Sequence, residues 1–242
     1  MIKLFKLLIS RMSGIALSFI LFVSCANAAP LTDSELIRGF NLTVFGAEFS
    51  SYGGESRHIR KFSRTVKFRI HNNSKVNRTT AARRFIRSLN TKIHGLKARI
   101  ARSNERANFN LYIVDRKDYA DTVRSKVYRN SHASVPGRCI VRSVFNFSGI
   151  LRSDAVVVSD DGEALFNRCL VEETLQGLGV LNEHSSLSKS VFNDQTKHIS
   201  FTKFDRHIMN MLYDPRVKNG APPLKVNAVL PAVLKDVRKR LR

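Results

Sequence analysis

The chain has 242 residues, with 41 Lys and Arg against 19 Asp and Glu, and carries a net charge of +22 with histidine neutral. That length suits one well-buried domain with additions and requires no second one. No internal repeat, low-complexity block or Gly-rich phosphate loop is present, which removes the solenoid, disordered and P-loop classes.

So large a positive excess would ordinarily point to nucleic acid, but the N-terminus redirects it. Lys3, Lys6 and Arg11 precede an apolar run from Gly14 to Val23 and the small triplet Ala26-Asn27-Ala28, which are the three parts of a secretory signal. The run falls short of the about 20 residues that a spanning helix needs. Residues 1–28 are therefore set apart as a signal peptide, with cleavage expected between Ala28 and Ala29. The expected location is the periplasm, with no transmembrane span in the mature chain. Phe22-Val23-Ser24-Cys25 partly resembles the box before a lipidated cysteine, so a lipoprotein anchored through Cys25 is the alternative. Three of the basic residues leave with the signal, and the mature chain keeps +19. Export replaces nucleic acid by anionic envelope components (lipid head groups, lipopolysaccharide or wall polymer) or another envelope protein; a merely solvated basic surface is the plainer reading. Two cysteines remain, Cys139 and Cys169, a natural disulfide pair in an oxidising compartment.

In chain order, Thr32-Asp33-Ser34-Glu35 opens a helix whose apolar residues run from Leu36 to Phe45 within Leu31–Glu48. Ser50 to Glu55 reads as a loop. Val66, Phe68 and Ile70 alternate with Lys67 and Arg69 as a half-buried strand, and His71-Asn72-Asn73-Ser74 turns the chain. From Thr79 to Arg102, Ala82, Phe85, Ile86, Leu89, Ile93, Leu96 and Ile100 recur at helical spacing. Leu111–Val114 gives a strand and completes a strand–helix–strand unit expected to form a parallel pair. Further strands are expected at Arg138–Val144 and at Ala155–Ser159, after a Ser148-Gly149 turn. Helices follow at Glu163–Leu178, ended by Gly179, and at about Thr202–Leu212, stopped by Asp214-Pro215. Past the linker Asn219–Pro223, the tail from Lys225 to Arg242 reads as an amphipathic helix, with docking on the domain preferred over a membrane surface.

On Glu163–Leu178 the apolar residues cover most of the circumference, which marks a buried helix. Glu172, Glu173 and Gln176 nevertheless share one sector of it. Buried carboxylates are costly unless paired, ion-bound or wet, so a site or a structural polar network is indicated. The segment Glu172 to Asn182 resembles the zinc-peptidase motif H-E-x-x-H-x-x-G-x-x-H, in which two His one turn apart bind zinc and the Glu polarises water. Glu173 keeps the base position and Gly179 the turn. The ligand-equivalent positions read Glu172, Gln176 and Asn182. His184, His198 and His207 are other imidazoles, and Met209-Asn210-Met211 lies where such enzymes place a Met turn, although core packing is the simpler role. Asn193-Asp194, Asp205 and Asp214 suit caps and stops, while Arg216 is a candidate ion-pair partner for Glu172 or Glu173.

Val44-Phe45-Gly46, the Glu172–Gly179 segment, Phe192-Asn193-Asp194, and Phe204-Asp205 through Leu212-Tyr213-Asp214-Pro215-Arg216 together resemble the domain-of-unknown-function family 2927, over about Leu36 to Gly220. That resemblance implies an exported protein distantly related to zinc peptidases. The expected fold is α+β: a single zincin-like, metallopeptidase-like domain at 29–222 with a mixed sheet packed on helices, including the buried motif helix, and a basic tail helix at 223–242. No cofactor is expected. Neutral amides are poor zinc ligands, and an all-oxygen set would better suit a hard cation such as calcium. The preferred function is a non-catalytic binding or structural protein; the alternative is an atypical metal- or water-dependent hydrolase with Glu173 as general base. Intact-mass measurement of the exported protein is expected to place its N-terminus at Ala29, whereas a diacylated Cys25 would assign it to the lipoproteins.

Overall fold

Val66, Phe68 and Ile70 alternate with polar residues in a strand, as the sequence leads one to expect, and the apolar runs at Leu111–Val114 and Ala155–Val158 form further strands of the same sheet. A computed structural model describes residues 30–45 and 57–242. The expected signal at 1–28 with Cys25, the Ala28/Ala29 cleavage site, Gly46 and the loop Ser50–Glu55 lie outside the described residues. Strands β1 (Val66–Asn73), β2 (Ala98–Ile100), β3 (Phe109–Val114), β4 (Cys139–Asn146) and β5 (Gly149–Val158) form one sheet in the order β2-β1-β3-β5-β4. All neighbours are parallel except β4, which runs antiparallel to β5 at one edge. Seven helices accompany the sheet among the described residues: α1 (Asp33–Val44), α2 (Thr79–Lys92), α3 (Tyr119–Thr122), α4 (Glu163–Gly177), α5 (Lys203–Leu212), α6 (Pro223–Asn227) and α7 (Leu230–Arg240). The protein is therefore mixed α+β.

Register decides which face is buried. Phe68 pairs with Phe109, Ile70 with Leu111, Leu111 with Ala155 and Ile113 with Val157, so one face sends its apolar residues into the main core with Leu36, Phe40, Phe166, Leu175 and Met209. The Phe68 and Phe109 rings stack with centroids 4.4 Å apart. On the opposite face Tyr119, Val123 and Val127 cover Val114, Ile140, Val156 and Val158 as a second cluster. Those three follow i, i+4, i+8 spacing through α3 and the single π-helical stretch after it, a helical signal that the strand-centred reading of this region passes over.

The helix expected over Thr79–Arg102 is shorter, and its last third becomes β2. Asn210 donates to the Lys92 carbonyl at 2.7 Å and accepts from His94 N at 2.8 Å, taking over the groups on which another turn would build. Gly95 then adopts φ +88° with a Cβ position only 2.6 Å from the Tyr213 carbonyl, where a larger residue would clash. Asn90 clamps the returning chain by accepting from Ala98 N at 2.8 Å and donating to Ala98 O at 2.7 Å. β5 is also longer than expected, starting directly after the Ser148-Gly149 turn, with an extra residue, Leu151, opposite the Val144/Phe145 step.

α1 opens with a capping box between Thr32 and Glu35, as its sequence foretells, and α5 with another between Thr202 and Asp205. The tail residues form two helices, α6 and α7, with Pro231 in the first turn of α7 where its missing N–H costs nothing. Leu230, Val233, Leu234 and Val237 are fully buried in the main core, and Arg238 ties α7 to Asp33 at 2.7 Å. A disulfide joins Cys139 at the start of β4 to Cys169 on α4. Cys169→Ala is expected to lower unfolding stability by about 2–4 kcal/mol, read as a urea midpoint under non-reducing conditions; an unchanged midpoint would contradict a bridge that restrains the unfolded chain.

Candidate functional site: a buried carboxyl cluster on α4

From Cys169 to Gly177 every residue of α4 is buried. The helix passes under the sheet, where the Ser153 hydroxyl donates to the Gly177 carbonyl at 2.7 Å. It ends at Leu178 because Gly179 turns with φ +127°, and a side chain there would meet the Arg60 carbonyl at 2.3 Å. The motif glycine thus has a steric reason of its own.

Glu172 is 3% exposed. Its partner is Arg168, one turn earlier on the same helix, with Nε 3.1 Å from Oε2 and Nη2 3.2 Å from Oε1. The same guanidinium donates to the carbonyls of Val191, Asn193, Thr196 and His198 at 3.1–3.3 Å and reaches Asp194 Oδ1 at 3.4 Å. Arg168 therefore binds the loop after the motif to the motif helix. Asp205 holds the same loop from α5, accepting from the Ser190 hydroxyl at 2.6 Å and from Val191 N at 3.3 Å.

Gln176 donates to Glu183 Oε1 at 2.8 Å. Carboxylate oxygens of Glu172, Glu183 and Asp194 lie within 4.8 Å of one another. Burial, the Glu183 and Glu173 carboxylates, and a hydrogen bond to Glu183 push the Glu172 carboxyl well above its usual range, and Arg168 pulls it back only in part. Beside a second carboxyl, Glu172 therefore keeps its proton to higher pH than a free glutamate. Glu173 is buried too, and its carboxylate adds to burial in raising the Tyr119 and Tyr128 hydroxyls.

The other candidates from the sequence are dispersed. Asn182 donates from its side chain to the Leu42 carbonyl at 3.0 Å and from its backbone to that of Thr43 at 3.1 Å, closing the end of α1. Glu183, its neighbour, is the residue that meets Gln176. Arg216, the candidate partner for Glu172 or Glu173, instead grips Asp214 with two contacts of 2.8 and 2.9 Å and reaches Asp236 at 3.0 Å. His184 Nδ1 pairs with the Ser186 hydroxyl at 2.8 Å, His198 Nε2 with the Ser188 carbonyl and His207 Nδ1 with the Lys203 carbonyl. Met209 and Met211 are core residues of α5. Sequence reasoning missed Arg168 and Glu183. An i, i+4 Arg–Glu pair on a buried helix was a readable signal for the first, whereas nothing local singled out the second.

Arg168→Ala leaves the carboxyl pair without a counter-charge, and is expected to cost about 3–5 kcal/mol in denaturant unfolding. The folded pair keeps a proton that an unfolded glutamate loses near pH 4–5, so stability from this site is complete below that range and declines as pH rises. Glu172→Gln, which cannot ionise, should therefore lose less stability than the parent between about pH 5 and pH 8. Parallel pH curves for the two proteins would show that the pair holds no proton.

The motif helix, its ion pair and the Phe192–Asp194 loop all lie inside the span matched by a family model. No curated protein matches the chain. With the match extending over residues 33–232, the chain belongs to the family described as Protein of unknown function (DUF2927).

Proposed function

We propose that this is an exported envelope protein that keeps a zincin-like, metallopeptidase-like framework and uses it as a non-catalytic binding or structural scaffold. The observation that carries the reading is the place of Arg168. A zinc peptidase offers its metal two imidazoles from this stretch of helix. In this chain the corresponding carboxyl, Glu172, faces a guanidinium at 3.1 Å that also fastens four carbonyls of the following loop. A positive group therefore already occupies the electrostatic position a metal would take.

The remaining donors point the same way. Gln176 and Asn182 are neutral amides engaged with Glu183 and Leu42, and such groups are poor zinc ligands. These residues do not fit zinc, and no catalytic step through a metal follows from them. The oxygens of Glu172, Glu183 and Asp194 suit a hard cation such as calcium by type, but Arg168 stands against Glu172 and Asp194, and a dication would have to displace it. Glu173, at the general-base position, is buried near two tyrosines. The mixed sheet above a buried motif helix supports the framework part of the proposal, and the leader-like N-terminus with the +19 mature charge supports the envelope part.

Elemental analysis of protein purified without chelator is expected to find zinc far below one per chain, and added calcium to leave the melting temperature unchanged within a degree. One tightly held zinc per chain would overturn the scaffold reading. Glu173→Gln should alter stability alone; loss of a hydrolytic activity present in the parent would make Glu173 a general base.

A further inference from the structure

Seven large apolar side chains are exposed among the described residues, and four of them, Val144, Phe145, Phe147 and Leu151, sit on the single hairpin that joins β4 to β5. Phe147 at its tip is 73% exposed, and Leu224, at the start of α6, is 84% exposed. The tip is held firmly. The Phe147 ring stacks on His58 with centroids 4.8 Å apart, and the Arg60 guanidinium lies 4.0 Å over the Phe145 ring. Asn219 then fastens three segments together, accepting from Lys61 N at 2.8 Å and donating to the carbonyls of Lys61 and Ser148 at 3.0 and 2.9 Å. The linker that leads to Leu224 is thereby placed beside the hairpin. An exposed apolar group of this kind marks an interaction site more often than chance exposure does.

Charge tells which partner. The segments that meet at this corner, 57–64, 139–153 and 215–225, hold four, two and three Lys or Arg and no Asp or Glu, and of these Arg152 and Arg216 pair with Asp154 and Asp214 at the segment ends. Arg64 is exposed and donates to the Leu151 carbonyl of the hairpin at 3.0 Å, Lys218 is exposed next to Asn219, which binds the Ser148 carbonyl, and Lys225 is exposed next to Leu224. Two copies of the chain would bring these charges together and repel. An apolar tip within a basic ring matches a surface of anionic head groups over hydrocarbon, to which aromatic and basic side chains contribute together.

We infer that the β4–β5 hairpin tip, centred on Phe147 and flanked by Arg64, Lys218 and Lys225, docks the protein on an anionic lipid surface by inserting its aromatic ring between head groups. This deepens the envelope reading, rests on it for location, and is independent of whether the α4 site catalyses anything. α7, whose apolar face is already buried in the core, takes no part.

The test uses protein beginning at Ala29, which retains the whole Leu31–Arg242 unit, with vesicles of phosphatidylcholine alone or with 30% phosphatidylglycerol, an arbitrary choice of roughly one anionic lipid in three. The parent is expected to sediment with the anionic vesicles only. Phe147→Ser and the pair Lys218→Glu with Lys225→Glu should each weaken that binding by about tenfold or more. The chain contains no tryptophan, so Phe147→Trp supplies a lone reporter whose emission should shift blue and be quenched by brominated lipid on anionic vesicles. Equal binding by Phe147→Ser, or indole emission from the Phe147→Trp variant that keeps its wavelength in water, would overturn insertion and leave adsorption by charge. Equal binding to neutral vesicles would overturn the role of the basic ring, and self-association abolished by Phe147→Ser would make the surface a contact between copies. Any of these failures leaves the metal and Glu173 measurements unaffected, so the two readings fail separately.

Discussion

A helix buried on all sides can hold a carboxyl such as Glu172 only where partners offset its removal from water, and the arrangement around α4 follows from that constraint. Arg168 meets it at one helical turn's distance from Glu172. Because the guanidinium has five donors in a fixed plane, it also reaches four carbonyls of the loop. The loop from Val191 to His198 contains no regular element, and its shape comes from this hub on one side and Asp205 on the other. A polar network of this kind specifies a conformation more than it adds net stability, since the desolvation of its charges offsets much of their attraction.

Between Glu172 and Asn182, the glycine and the apolar positions each have a steric or packing reason. At Gly179 the Arg60 carbonyl leaves no room for a side chain. The apolar positions between the polar ones fill the core under the sheet. Two of the polar positions serve local hydrogen bonds: Asn182 finishes α1, and Gln176 orders Glu183.

Much of the fold was legible because its signals are local. The alternation at Val66–Ile70, the capping residues Thr32 and Thr202 and the amphipathic face of the final helix each report on neighbours a few positions away. The end of α2 was not legible, because Asn210 and Tyr213, more than 110 positions downstream, decide it through hydrogen bonds and close contact. The polar positions on α4 were found from spacing alone. Their partners were not, since Glu183 and Asp194 are brought to Glu172 by a turn and a loop whose course no periodicity encodes. Arg216 was drawn to the wrong carboxylates although its partner, Asp214, stands two residues away and pairs through a local turn.

The last helix closes on the first. Arg238 meets Asp33, Asn41 meets Asn227, and the apolar residues of α7 complete the same core as Leu36 and Phe40. Vectorial emergence of such a chain, from a ribosome or through a translocation pore, cannot finish the fold in stages. The interior stays open to water, and open to chaperones that hold extended chains, until the residues near 237 are free to turn back on the beginning.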